Sequence, residues 1–400
     1  MKPLFTTSFS LVSALGRGAT PAFEALRAGR SGLRRNDFLD STLDTWIGRV
    51  EGLEAGLEPD AAGTQIEDFP DYRVQRLAHA ALNEDGFSEA VARARDAHGS
   101  DRIGVFLGTS SAGMLQGELA YRARQPGSAA LPAGLSYRDS FNMYAPAAFV
   151  RARLGLKGPA AVVSTACSSS AKVFATASRA IAAGLCDAAV VGGVETLCFT
   201  TLHGFASLEL LSRDPCRPCD ASRGGISLGE GAAFVLLEKT ATSGEDLALL
   251  GYGESADAHH MSTPHPEGLG AALAMRCALE RAGLAATDID YINLHGTGTR
   301  SNDAAEDAAV FSVAGNRVPC SATKGWTGHT LGAAGAIEAV LTLLCLRHGY
   351  APGTLNTRHV DPGIRSQILL EGRSIPLEHA MSNSFGFGGS NCSLVFGRSR

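Results

Sequence analysis

The chain has 400 residues, of which 45% are hydrophobic and 19% are charged, a balance typical of a globular protein with a large buried core and not of a disordered chain. A formal net charge of −5 excludes a global basic field for binding nucleic acid. Nine scattered cysteines and an N-terminus without a basic-then-apolar leader predict reduced thiols in the cytoplasm. Because no stretch of 18 uncharged apolar residues occurs, we expect no membrane span.

Apolar runs and helix-forming runs alternate along the chain, which predicts an α/β architecture. Strands are predicted at residues 103–107, 160–163, 188–191, 232–237, 247–252 and 291–294, helices at 168–181, 270–282 and 330–346, and a closing strand pair around 383–391. Residues 30–70 are polar and irregular, so we expect surface loops there. The polar run 240–246 is the best linker candidate and divides the chain into halves of 1–240 and 241–400, although no clear sequence repeat relates them.

Cys167 follows a predicted apolar strand and precedes a predicted helix. A sulfur at a helix N-terminus lies near unpaired N–H groups that stabilise a thiolate, which is the nucleophilic form. A buried structural cysteine is the alternative, and it is the usual role of the residue type. Cys216 and Cys219 form a lone CxxC, and without a second ligand pair this spacing favours a plain turn over a zinc site.

Two histidines also stand in distinctive contexts. His295 begins HGTGT at the end of a predicted strand, where reacting groups collect in α/β proteins. His329 lies in KGWTGHTLGAAG at residues 324–335, directly before a helix of small residues. For each, a turn histidine that makes ordinary hydrogen bonds is an equal alternative. The segment NSFGFGGSN at 383–391 places glycines around two aromatic residues, as in a gate or a tight hairpin.

Four segments together resemble the elongating β-ketoacyl-[acyl carrier protein] synthases of the thiolase superfamily, over nearly the whole chain. They are STACSSS at 164–170, HGTGT at 295–299 with Asp303 and Glu306, KGWTGH at 324–329 with GAAG at 332–335, and NSFGFGG at 383–389. The resemblance implies a thiolase-like fold with five layers, α-β-α-β-α, built from two related halves. It also implies a dimer, either of two identical chains or with another ketosynthase.

The resemblance implies the following chemistry. Cys167 takes the acyl chain from an acyl carrier protein, and His295 and His329 donate hydrogen bonds that stabilise the enolate formed as malonyl carrier protein loses CO2. The enolate attacks the acyl-cysteine and gives a β-ketoacyl product, whose oxyanion is held by the backbone N–H groups of Cys167 and Phe387. Lys324 matches the family lysine beside the second histidine, with Glu306 as its acidic partner. No cofactor is expected for catalysis.

Further site residues are implied by the same resemblance. Phe385 and Phe387 occupy the gating segment, and Ser111 matches the far end of the acyl pocket. A structural monovalent cation that some members bind would be held by Asn293, Glu338, Ser382 and Asn383. Candidates for docking the acidic carrier protein are basic residues in the N-terminal half, namely Arg73, Arg76, Arg122 and Arg124, although solvated helix faces explain them equally well.

Departures from the family pattern leave the pathway open. Arg300-Ser301-Asn302 replaces a turn that contains proline, and Trp326 is an unusual residue in its loop. These departures favour a specialised pathway, such as polyketide or aryl-polyene synthesis, over housekeeping fatty acid synthesis. Two rival functions are retained: a ketosynthase subunit that is active only with a partner ketosynthase or a chain-length-factor-like protein, and a thiol acyltransferase or hydrolase that never decarboxylates malonyl groups.

Overall fold

The computed structural model describes residues 1–54, 56–57, 69–128, 130–132, 135–241 and 247–398. Its strands are β1 (Leu4–Ser13), β2 (Gly16–Arg17), β3 (Arg34–Arg35), β4 (Trp46–Gly48), β5 (Ile103–Gly108), β6 (Ala160–Val163), β7 (Ala188–Glu195), β8 (Leu228–Gly229), β9 (Gly231–Glu238), β10 (Leu247–Ala256), β11 (Tyr291–Leu294), β12 (Pro319–Ala322), β13 (Tyr350–Ala351), β14 (Gln367–Ile368), β15 (Arg373–Ser374), β16 (His379–Gly386) and β17 (Ser390–Arg398). Its α-helices are α1 (Ala19–Ala28), α2 (Arg73–Leu82), α3 (Phe87–His98), α4 (Met114–Arg122), α5 (Ala145–Arg153), α6 (Ser169–Ala182), α7 (Phe199–Ser207), α8 (Leu269–Ala282), α9 (Arg300–Ala314), α10 (Lys324–Thr327) and α11 (Ala334–His348).

The main sheet contains the same five-strand motif twice. In the N-terminal half the strand order is β1-β9-β7-β5-β6, and in the C-terminal half it is β10-β17-β16-β11-β12. In both halves the first three strands pair antiparallel and the last three pair parallel. The two motifs join where β1 pairs with β10. The chain is therefore two related halves, as the resemblance implied, even though their sequences show no repeat.

Two helices fill the space between the two five-strand motifs. α6 follows the last strand of the first motif and α11 follows the last strand of the second, and these helices pack on each other and on strands of both motifs. Small residues allow the close approach, because a Cβ on Gly335 would lie 2.5 Å from the backbone nitrogen of Ala171. With α2, α3 and α5 on one outer face and α8 and α9 on the other, the order of layers is α-β-α-β-α.

The segment that contains the central helix α11 is strongly apolar. Leu331–His348 is long and apolar enough to cross a membrane by composition, with a mean hydropathy of 1.4, but 89% of it is buried inside the protein. It includes Glu338 and Arg347, so the expectation about uncharged stretches stands. Its burial between the two five-strand motifs explains its composition as that of a buried core helix.

The predicted elements agree well with the observed ones. The strands at 160–163 and 291–294 have the expected bounds, and the other predicted strands and helices are present with ends shifted by a few residues. Within the predicted loop region 30–70, the structure adds the short strands β3 and β4. Residues 55 and 58–68 of that region and 242–246 of the predicted linker lie outside the described residues.

Candidate active site

Cys167 lies on a sharp turn between β6 and α6. Ala166 has a φ of +52°, a left-handed conformation that strains any residue with a Cβ. The turn is held by the Ser169 side chain, whose Oγ accepts the N–H of Thr165 at 2.9 Å. Gly386 approaches from the other side, since a Cβ there would lie 3.2 Å from the nitrogen of Cys167. The strained turn and the close glycine fix the sulfur at the carboxyl edge of the first motif.

The sulfur is buried, and burial raises the pKa of the Cys167 thiol to about 12. The positive charge of Lys324 and the backbone N–H of Phe387 oppose this rise without cancelling it. The sequence-based expectation of a thiolate stabilised by the helix N-terminus is therefore wrong for the free protein, because loss of hydration outweighs the local dipoles. In the free protein, Cys167 is therefore a neutral thiol.

His329 is the residue nearest to this sulfur. Its Nε2 lies 3.0 Å from Cys167 Sγ, and its Nδ1 accepts the backbone N–H of Leu331 at 3.3 Å. Its backbone pairs with the N-terminal half, where the His329 N–H donates to the carbonyl oxygen of Ser227 at 2.7 Å. Burial lowers the pKa of His329 well below the usual 6.5. The ring is therefore neutral with its proton on Nε2, as a donor that faces the sulfur.

His295 follows β11 and faces the same point. Glu306 fixes its backbone, because the two carboxylate oxygens accept the N–H groups of His295 and Gly296 at 2.7 Å each. The Nδ1 of His295 lies 3.2 Å from Lys324 Nζ, an ammonium group that can only donate. Burial, and then the charge of Lys324, lower the pKa of His295 well below 6.5. This imidazole is thus also neutral and carries its proton on Nε2.

The three side chains converge. Ligand atoms of Cys167, His295 and His329 lie within 4.8 Å of one another, and the two imidazole centroids are 5.2 Å apart at an interplanar angle of 82°. Two neutral N–H donors next to a nucleophile form an arrangement that can stabilise negative charge on one substrate oxygen.

The buried lysine has a different partner from the one expected. Lys324 Nζ donates to a carboxylate oxygen of Glu338 and to the carbonyl oxygen of His295, and it lies beside the first histidine rather than the second. The pairing of Lys324 with Glu306 is therefore wrong, since the oxygens of Glu306 are occupied by backbone N–H groups. Burial raises the pKa of both Glu306 and Glu338 to about 7.

The predicted gating segment closes one side of the site. A cavity of about 230 Å³ reaches the Cys167 sulfur and is lined by both histidines, by Phe385 and Phe387 and by polar residues farther out. The Phe387 ring contacts Phe205 at 5.7 Å, and the Phe385 ring contacts His295 at 6.1 Å. The segment is tied down by the Gly388 N–H, which donates to the carbonyl oxygen of Met261 at 2.8 Å.

Ser111 does not line this cavity. Its hydroxyl donates to a carboxylate oxygen of Glu195, and its backbone N–H donates to the same oxygen at 2.8 Å. The match of Ser111 to the far end of the acyl pocket stays a prediction, and its hydroxyl is already hydrogen-bonded inside the protein. Sequence reasoning missed Glu195 itself, and its only signal was a carboxylate at the end of the apolar run at 188–194.

Most of the residues expected to hold a monovalent cation carry unpaired oxygens. The Oδ1 of Asn293, the Oε2 of Glu338 and the Oγ of Ser382 are buried and have no hydrogen-bond partner. Such oxygens fit a hard cation that prefers oxygen ligands. The side chain of Asn383 does not fit in the same way, since its Oδ1 accepts the hydroxyl of Ser393 at 2.8 Å.

The four candidate docking arginines divide into two groups. Arg73 is mostly buried, with its Nε 3.0 Å from Glu230 Oε2, so its charge is used inside the protein and the docking role is wrong for it. Arg76 pairs with Asp71 and with backbone carbonyls. At the end of α4, Arg122 lies 3.7 Å over the ring of Phe199, and Arg124 lies 6.0 Å over Tyr121. These last two remain exposed at the surface.

Comparisons with known proteins agree with this geometry. Residues 2–243 match the family described as beta-ketoacyl synthase, N-terminal domain, and residues 248–358 match its C-terminal domain. A 3-oxoacyl-[acyl-carrier-protein] synthase 2 from Coxiella burnetii is 34% identical, over 98% of this chain and 97% of that protein. A ketosynthase solved in complex with its chain length factor, from Xenorhabdus doucetiae, is 36% identical with a TM-score of 0.88, over 100% of this chain and 98% of that chain. A beta-ketoacyl synthase from Burkholderia phymatum is 32% identical with a TM-score of 0.86, over 100% of both chains. The chain belongs to the β-ketoacyl synthase family.

Proposed function

We propose that this protein is a cytoplasmic β-ketoacyl-[acyl carrier protein] synthase. It catalyses a decarboxylative Claisen condensation between an acyl group on Cys167 and a malonyl group on a carrier protein, in fatty acid or polyketide chain elongation. The observation that carries the proposal is the convergence of one thiol and two neutral N–H donors at the inner end of a cavity. A thiol hydrolase needs a base that accepts a proton, whereas both histidines hold their protons on the nitrogens that face the site.

The first half-reaction is a thioester exchange. Cys167 Sγ attacks the acyl thioester of the carrier protein, the new carbon–sulfur bond forms, and the bond to the carrier sulfur breaks. The thiol proton of Cys167 leaves with the carrier thiol, so the exchange balances without a permanent base. The backbone N–H of Phe387, which already contacts the Cys167 sulfur, and the N–H of Cys167 stabilise the oxyanion.

The second half-reaction uses the histidine pair. The thioester oxygen of the malonyl group accepts hydrogen bonds from the Nε2–H groups of His295 and His329, which stabilise the enolate formed as CO2 leaves. The enolate carbon then attacks the acyl carbonyl, the Cys167 sulfur leaves, and one proton from water restores the thiol. Lys324 keeps His295 in the donor tautomer, because its ammonium group donates to Nδ1.

The cation proposal follows from the unpaired oxygens of Asn293, Glu338 and Ser382. A monovalent cation held there would compensate the charge of Glu338 beside Lys324. Its contribution is structural, since it keeps the ammonium group directed at His295.

A heterodimer is the second candidate arrangement. The solved relative from Xenorhabdus doucetiae forms a complex with its chain length factor. In this chain β6 is the last strand of its motif and its four residues are only half-buried, which favours pairing of this edge with a second ketosynthase chain. Because β6 leads directly to the turn that carries Cys167, such a partner would contact the frame of the active site.

The test is the mass of the product when the purified protein meets malonyl carrier protein and a panel of acyl carrier proteins. We expect a β-ketoacyl product extended by two carbons, and no product from Cys167→Ala. The matched control is Cys198→Ala, which removes a buried thiol of the same apolar cluster without a neighbouring histidine. Acylated Cys167 without product, restored by adding a second ketosynthase subunit, would favour the heterodimer. Absence of both acylation and product would contradict the proposal.

A further inference from the structure

Glu195 is a buried carboxylate surrounded by hydrogen-bond donors. It ends β7 and is 0% exposed. Its Oε2 accepts the backbone N–H groups of Ser110 at 2.7 Å and Gly332 at 2.9 Å, together with the Ser110 hydroxyl. Its Oε1 accepts the N–H and the hydroxyl of Ser111. One side chain thus joins two loops that are more than 200 positions apart in the chain.

One of these two loops, the one that contains Gly332, also carries His329. Gly332 follows Leu331, whose φ of +48° is strained and whose N–H occupies the Nδ1 of His329. Gly332 packs closely against Glu195, because a Cβ on Gly332 would lie 2.4 Å from Glu195 Oε2. By holding the Gly332 N–H, Glu195 fixes the strained residue that sets which nitrogen of His329 carries the proton.

The second loop leads to the apolar wall beside the nucleophile. Residues 109–113 precede α4, and Leu115 of that helix lies in the same buried cluster as Cys167 and Leu331. The carboxylate of Glu195 is also close enough to raise the pKa of the Cys167 thiol slightly. Glu195 therefore contacts the supports of both the nucleophile and its neighbouring histidine without reaching the substrate cavity.

We propose that Glu195 is a positioning residue, which holds His329 in its Nε2–H tautomer and connects the loop that carries His329 to the loop at residues 109–113. The inference rests on the proposed function, since the tautomer matters for the decarboxylation step. A purely structural carboxylate would affect all activities in proportion to the folded fraction, whereas a positioning residue affects the step that uses His329.

The experiment compares Glu195→Met, which has similar volume and no acceptor, with Glu195→Gln, which keeps one of the two acceptor oxygens. The readouts are the ¹⁵N shifts of the His329 ring and the rates of malonyl decarboxylation and of Cys167 acylation. Glu118→Gln is the matched control, because Glu118 also accepts two backbone N–H groups, from Phe199 at 2.9 Å and Thr200 at 2.6 Å, with no connection to His329.

We expect Glu195→Met to slow decarboxylation by about 100-fold with a smaller effect on acylation, and to mix the two His329 tautomers. Glu195→Gln should restore part of the decarboxylation rate and part of the Nε2–H population of His329. Glu118→Gln should change neither quantity. Equal loss of both half-reactions with an unchanged His329 tautomer would overturn the proposal. If Glu195→Met does not fold, the ¹⁵N shifts of wild-type His329 and of Glu195→Gln still decide, since an Nδ1–H ring in the wild type overturns the inference. The shifts need no turnover, so they test Glu195 even if the condensation itself were absent.

Discussion

The buried carboxyl of Glu306 predicts how the stability of the protein changes with pH. Each oxygen accepts one backbone N–H, from His295 and from Gly296 at 2.7 Å, and burial raises the pKa of this carboxyl from 4.5 to about 7. The folded state holds the proton of Glu306 more tightly than the unfolded chain does. The stability that the protonated carboxyl contributes is therefore fully present below pH 4.5 and is lost as the pH rises through 7. The wild type should lose about 2–3 kcal/mol of unfolding free energy between pH 5 and pH 8 through this group.

Glu306→Gln removes that titration. Its amide NH2 meets one of the two backbone N–H groups, which leaves that group unpaired at a cost of about 1–3 kcal/mol at any pH. We therefore expect the variant to be less stable than the wild type at pH 5 and about equally stable, or more stable, at pH 8. Condensation should be slower at both values, because the backbone that positions His295 has lost an acceptor.

Urea unfolding at pH 5 and pH 8 measures the two stability differences, and the slope with urea concentration shows whether the unfolded state has changed. Cys198→Ala is the control, since burial raises the pKa of that thiol to about 12 and its effect should be equal at both values. A loss of stability in Glu306→Gln that is the same at both pH values, or larger at pH 8, would refute the reasoning.

Three further predictions concern the frame of the site. Ala166→Gly should raise the unfolding free energy by about 1 kcal/mol with the acylation rate retained, because it relieves the strain at φ +52°, and calorimetry measures the shift; a loss of stability would contradict this. Trp326→Ala should lower the free energy of unfolding by about 3–5 kcal/mol in urea unfolding, since the indole is 2% exposed and its removal leaves a cavity. A loss below about 1 kcal/mol would contradict this, because it would mean that neighbouring side chains fill the cavity. Lys324→Met should cost about 3–5 kcal/mol because the charge of Glu338 is left unpaired, and the double variant Lys324→Met, Glu338→Gln should recover part of it; full additivity of the two substitutions would disprove the pairing.

The local pattern of the sequence carries much of the fold. Apolar strands such as 160–163 and 291–294 are bounded by glycine and polar residues, so their ends follow from local chemistry. The motifs around Cys167 and His295 each follow a predicted strand, and this placement predicts side chains at the carboxyl edge of a parallel arrangement. These features depend on neighbours in the chain, which a sequence contains directly.

The partners of buried charges depend on distant neighbours, and only the tertiary structure decided them. Lys324 of α10 pairs with Glu338 of α11 rather than with Glu306 of α9, and Arg73 pairs with Glu230 because α2 covers β9. The pKa of Cys167 is raised because the central layer excludes water from a turn that would stabilise a thiolate if it were exposed. The sequence by itself predicted part of the strand and helix order and, through the family resemblance, the three side chains that converge. Packing determined their protonation, because burial and charge separation are properties of three-dimensional distance.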